Sequence, residues 1–142
     1  MQPMYHLERF VAAQDRDYDT ALSELRRGRK QSHWMWYIFP QVAGLGHSST
    51  AQHYALKDIG EATAYVQHPV LGPRLVQLCH VLLSLPTSDA HQVFGSPDDM
   101  KLRSSMTLFA AVPGSDQVFE QVLDKFYGGE PDKKTLSILQ QA

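Results

Sequence analysis

Apolar residues recur at intervals of three and four along nearly the whole chain, and proline or glycine interrupts the pattern before any segment grows long. That periodicity marks one face of a helix, whereas a half-buried strand alternates in steps of two. No long alternating run with a β-branched bias is present, and valine and isoleucine are scattered. The pattern predicts an all-α fold: a compact single-domain bundle of about seven to nine short helices over residues 1–142.

The expected boundaries follow from caps and breakers. Leu7, Phe10 and Val11 place a first helix from about Met4 to Ala13, and Asp17 is expected to cap a second one with Tyr18, Leu22 and Leu25 inside. Gly28 ends it, with Arg26, Arg27, Arg29 and Lys30 complementing the dipole at its C-terminal turn. After Pro40 and a loop through Gly44 and Gly46, Ser49 or Thr50 opens a helix through Tyr54 and Leu56. Asp58 and Glu61 form the signature of a capping box. Pro69 or Pro73 starts a helix carrying Leu75, Leu78, Cys79 and Leu82, and Ser88 caps a short one to Phe94. Ser96-Pro97-Asp98-Asp99 reads as a helix start, with Ser96 as N-cap, Pro97 in the first turn and two acids at the positive dipole end. Ser115 or Asp116 opens the next helix, Gly128-Gly129 closes it, and Pro131 opens the last.

Composition excludes several classes. The 142 residues are 43% hydrophobic and 20% charged, an ordinary globular balance. A net charge of −2 gives no field drawing the chain to nucleic acid or an anionic membrane. The opening residues lack the apolar run of a signal peptide, and no stretch has the length of a spanning helix. One cysteine, Cys79, cannot form an internal disulfide, which agrees with a cytoplasmic location.

Three segments concentrate chemistry. His33 to Gln41 packs Trp34, Trp36, Tyr37 and Phe39 between a histidine and a glutamine. Aromatics in such density build cores, and an aromatic wall with polar groups at its rim also builds small-molecule pockets. The Gly44 to Thr50 loop precedes a helix start but lacks the lysine and third glycine of a phosphate loop or dinucleotide fingerprint, so no cofactor is expected. The segment from Ser96 interleaves Lys101, Arg103, Ser104, Ser105 and Thr107 with apolar residues. Adjacent mid-helix serines compete for backbone bonds, and they serve either close helix packing or ligand contact. Asp99 and Arg103 have the spacing of a surface ion pair. The seven histidines show no pair at metal-binding spacing, so no metal is expected, and Cys79 sits among leucines as a core thiol.

Three runs, Arg29 to Gln41, His68-Pro69-Val70-Leu71-Gly72-Pro73-Arg74-Leu75, and Phe94 to Phe109, together with the opening Leu7 to Gln14, resemble the family called domain of unknown function eighteen-ten. The resemblance covers nearly the whole chain and implies a compact all-α fold and no assigned activity. Some members are loosely labelled calpastatin, but that inhibitor is long and disordered, unlike this globular composition. The resemblance draws attention to His33, Gln41, His68, Arg74, Asp98, Lys101, Arg103, Ser104 and Ser105.

The expected function is binding of an anionic small molecule, a nucleotide or phosphorylated metabolite, in a cleft of histidine, arginine and aromatic side chains. Trp34 or Trp36 would hold a planar group, Arg74, Lys101 and Arg103 an anion, and His33 is the candidate proton-transfer residue. His33, Arg74 and Arg103 are expected around one pocket, with Gln41, His68, Asp98, Ser104 and Ser105 as further candidates. The alternative is a non-catalytic partner-binding helical module, and nothing in the sequence decides whether the chain is an enzyme. The protein is expected to be a monomer or weak homodimer.

Overall fold

A computed structural model describes residues 5–140. Among them lie nine helices: α1 (Glu8–Arg26), α2 (Met35–Ile38), α3 (Ser49–Tyr54), α4 (Ile59–Gln67), α5 (Leu71–Ser84), α6 (Ala90–Phe94), α7 (Asp98–Ala110), α8 (Val118–Tyr127) and α9 (Lys133–Gln140). The fold is all-α. The sole β feature among the described residues is an isolated bridge between Val42 and Leu56. No helix among them is long and apolar enough to cross a membrane.

Helix α1 joins what the sequence divides in two. Met4, the expected start, lies outside the described residues. From Glu8 the helix runs unbroken, because Phe10, Ala13, Gln14, Tyr18, Ala21 and Leu25 stay buried at helical spacing and no proline or glycine intervenes. Asp17 therefore sits mid-helix. Its carboxylate accepts from the Tyr37 hydroxyl instead of capping. Gly28, just past the end, takes φ +76°, the left-handed position expected of it.

Helix α7 packs against α4, α6, α8 and α9, while α5 packs against α1, α4 and α8. Tyr65, Leu75, Cys79, Met106, Phe109 and Phe119 belong to the one buried apolar cluster between these helices. The Cys79 thiol is buried and lies 3.7 Å from the Met106 sulfur, and burial pushes its pKa up. Gly72 lets the start of α5 approach α4: a Cβ there would lie 2.2 Å from the Val66 carbonyl oxygen. At the other end of α5, the Lys125 ammonium donates to the carbonyls of Leu82, Leu83 and Leu85, satisfying a helix terminus from a neighbouring helix.

Two caps sit beside the expected residue: Ser48 caps α3 and Asp89 caps α6. Asp116, one of the two expected at the start of α8, accepts from the Val118 N–H. Asp58 caps α4 as expected, but Glu61 reaches back to the Lys57 N–H. Ser96 does not cap α7. Pro97 occupies the cap position without a side-chain bond, and the Asp99 N–H is taken by the Gly95 carbonyl at 2.9 Å. With that donor satisfied by backbone, the exposed Ser96 hydroxyl has no capping bond to make.

Candidate functional site

The aromatic segment before α2 is fixed by a buried carboxylate on α1. Glu24, 3% exposed, accepts from the N–H groups of Gln31 and Ser32, the Ser32 hydroxyl and the Trp34 indole N–H. Burial alone would raise its pKa, but these four donors outweigh burial and hold it at about 2. Trp34 is consequently a core residue, packed on Phe39 and Phe94. It offers no face to a ligand, contrary to the expectation for it.

The same segment meets the start of α7. Lys30 pairs with Asp98 at 2.8 Å and lies 5.0 Å from the centre of the Trp34 ring. Lys101 lies 3.6 Å from Asp98, with its ammonium 5.3 Å above Trp36. Lys30 and Trp36 are thus brought to Asp98 and Lys101 from a distant segment, in a knot where one carboxylate serves two ammonium groups. His33 is exposed next to this knot in sequence, and its carbonyl accepts from Tyr37. Gln41 is half-buried, and its carbonyl accepts from the Leu56 N–H.

Arg74 and Arg103 do not share a site. Arg74 pairs with Asp15 at 2.9 Å, contacts the Gln14 amide oxygen and lies over Tyr18. Buried Gln14 in turn donates to the Tyr37 carbonyl and the Tyr65 hydroxyl, both at 2.8 Å. Arg103 instead reaches Glu130, donating to its carbonyl at 2.9 Å and its carboxylate at 3.2 Å, and lies over Tyr127. The expected Asp99–Arg103 pair is absent because Asp99 faces His91 at 3.4 Å. A cavity of about 340 Å³ is lined by Arg103, Lys133 and Lys134, but by neither Arg74 nor His33. The shared His33–Arg74–Arg103 pocket is therefore not formed: each arginine takes the carboxylate that its own helix packing presents.

The remaining motif residues are structural. His68 accepts the N–H groups of Val70 and Leu71 through Nδ1 and caps the entry to α5. Ser104 donates to the Met100 carbonyl one turn back. Ser105 is fully buried and its hydroxyl has no partner. Both serines are buried, and neither lines the cavity beside Arg103 or that beside Arg9.

A cavity of about 500 Å³ lies elsewhere, between the start of α1, the end of α3 and the turn into α4. Its floor is Arg9 and Glu61, paired at 3.2 Å. The Arg9 guanidinium also donates to the carbonyls of His6 at 2.6 Å, His53 at 2.9 Å and Ala55 at 3.1 Å. One side chain therefore ties together the turn before α1, the C-terminal turn of α3 and the loop beyond it. Tyr5, His6, Gln52, His53 and Lys57 form the walls and mouth. Burial, with Asp58 and Glu61 nearby, raises the Tyr5 pKa and keeps its hydroxyl a donor. With Arg9 and Glu61 paired, the remaining charged side chain among the lining residues is the exposed Lys57, beside the imidazoles of His6 and His53.

The scaffold bearing this cavity has known relatives. The family model described as "Protein of unknown function (DUF1810)" matches residues 4–139. The chain belongs to this family. A DUF1810 relative by fold and sequence is the conserved hypothetical protein Rv1873 from Mycobacterium tuberculosis, whose crystal structure superposes with a TM-score of 0.92 at 46% identity, over 94% of this chain and 96% of that one. Among curated proteins nothing matches. The resemblance read from the motifs is thus the family itself, and no function is assigned to it.

None of the motif residues singled out by sequence lines this DUF1810 cavity. Of the seven histidines only His33 and His68 fall in the motif runs, and among the described residues no cluster of three or more His, Cys, Asp or Glu is arranged to hold a metal. His53 and Lys57 are four residues apart, but α3 ends between them at Tyr54, so helical spacing gives no signal. Nothing in the sequence links them to His6 and Arg9.

Proposed function

We propose that this DUF1810 protein binds an anionic small molecule, a nucleotide or other phosphorylated metabolite, in the cavity between α1, α3 and α4. The observation that carries the reading is the floor of the cavity. A carboxylate-paired Arg9, with four of its five N–H groups bonded, braces three segments, so that Lys57, His6 and His53 surround a space of about 500 Å³. That volume is in the range of small-molecule pockets. Preorganised walls reduce the ordering cost of binding. The knot at Trp36, Asp98 and Lys101 supports the fold in this reading, because both of its ammonium groups already face Asp98 and an indole ring within the chain.

Thermal denaturation tests it, since a ligand that binds only the native state raises apparent stability. AMP should raise the melting temperature saturably, adenosine without phosphate should raise it far less, and Lys57→Gln should remove most of the AMP effect. No stabilisation by AMP, or equal stabilisation of Lys57→Gln, would overturn the proposal.

A further inference from the structure

Two histidines from segments far apart in sequence are held at one mouth by one guanidinium. Arg9 Nη1 donates to the His6 carbonyl and Arg9 Nε to the His53 carbonyl, so the backbone of each histidine is placed by the same group. Both residues are exposed and line the cavity with Lys57. The neighbouring ionisable groups are Tyr5, Arg9, Lys57 and Glu61, with Asp58 behind Tyr5. Of these, Arg9 and Glu61 cancel as an ion pair, and the Asp58 carboxylate, which does not line the cavity, is engaged as the cap of α4. Tyr5 is a neutral donor. The lining thus holds one unpaired permanent cation, Lys57, and two imidazoles.

Three donors from three segments suit a group with three peripheral oxygens. A carboxylate offers two oxygens and one charge, and Lys57 alone would neutralise it. A phosphate monoester offers three oxygens and, above its second ionisation near pH 6, close to two charges. Its second charge finds no permanent cation here, because Arg9 already faces Glu61.

Resting on the anion-binding reading above, we infer that the ligand of this cavity is a phosphate monoester and that it enters together with protons taken up by His6 and His53. Lys57 supplies the first positive charge and the imidazoles supply the second only in the bound state. Binding is therefore tied to pH by linkage: whatever raises proton affinity on ligand binding must raise ligand affinity on protonation. Arg9 acts as a positioning residue, holding both histidines in reach of one phosphate without itself reading its charge.

Isothermal titration of the full-length protein with AMP at about pH 7.5, where the monoester is dianionic, tests this in two buffers of different ionisation enthalpy. The buffer dependence of the measured heat gives the number of protons taken up. Net uptake should be found in the wild type and should fall in both His6→Gln and His53→Gln. Lys57→Gln should weaken binding about tenfold, the loss of one charge-assisted hydrogen bond, and leave the uptake unchanged. Circular dichroism and the melting temperature of each free variant confirm that it folds. Saturable binding without proton uptake, or uptake untouched in both histidine variants, would overturn the inference while leaving the anion-binding reading intact. Absence of AMP binding by the wild type would overturn both.

Discussion

Replacing Glu24 by glutamine isolates one buried charge without disturbing its shape. The glutamine oxygen can keep the bonds that Oε1 receives from Gln31, Ser32 and Trp34, and its amide can donate to a rotated Ser32 hydroxyl in place of Oε2. The variant therefore mimics protonated Glu24. A carboxyl moved from its ordinary 4.5 to about 2 carries about 3 kcal/mol of stability at neutral pH. The folded pKa is depressed, so that stability is present in full above 4.5 and is lost as pH falls toward 2. Urea denaturation of both proteins should then show Glu24→Gln less stable by about 3 kcal/mol at neutral pH. The gap should close steadily as the pH falls through the range between the two pKa values. A neutral-pH gap under about 1 kcal/mol, the net worth of an ordinary hydrogen bond, or a gap that persists in acid, would refute the assignment of Glu24 as the charged anchor of the Trp34 segment.

Other substitutions test the remaining structural readings. Ser105→Ala removes a buried hydroxyl that has no partner and should stabilise the protein by about 1 kcal/mol, from relieved desolvation and better helix propensity; a lower denaturation midpoint would show that the hydroxyl has a partner in solution. Gly72→Ala places a Cβ against the Val66 carbonyl and should cost about 1–3 kcal/mol by overpacking, read as a fall in denaturation midpoint; an unchanged midpoint would contradict the close α4–α5 approach. Ser96→Ala should change stability by less than about 0.5 kcal/mol because the hydroxyl caps nothing, whereas a loss of about 1 kcal/mol would restore it as an N-cap.

The helices were legible because their signals are local. Phe10 to Leu25 repeats at helical spacing, Asp58 and Asp116 precede free N–H groups, and Gly28 and Gly128 follow helix ends in left-handed geometry. Where local signals competed, packing decided: Asp17 looks like a cap, yet the continuous buried face around Tyr18 carries α1 through it. Ser96 looks like a cap, yet the Gly95 carbonyl reaches the donor first. The candidate site was not legible for a different reason. His6, Arg9, His53 and Lys57 are brought together by hydrogen bonds from one guanidinium to backbone carbonyls, and carbonyls leave no trace in a sequence. The conspicuous motif residues drew attention because polar side chains among apolar ones need partners. In the fold, Glu24, Asp98, Asp15 and Glu130 supply those partners one by one.

The central claim is that ligand binding belongs to the α1–α3–α4 cavity and not to the motif knot at Trp36. A ¹H–¹⁵N spectrum of the protein titrated with AMP tests this most directly, because it reports position and saturation together. Saturable shifts should appear at the backbone amides of Tyr5, His6, Arg9, His53 and Lys57, with the Trp36 indole signal and the amides of Asp98 and Lys101 unmoved. Shifts centred on Trp36, Asp98 and Lys101, or no saturable shift at the cavity, would contradict the account.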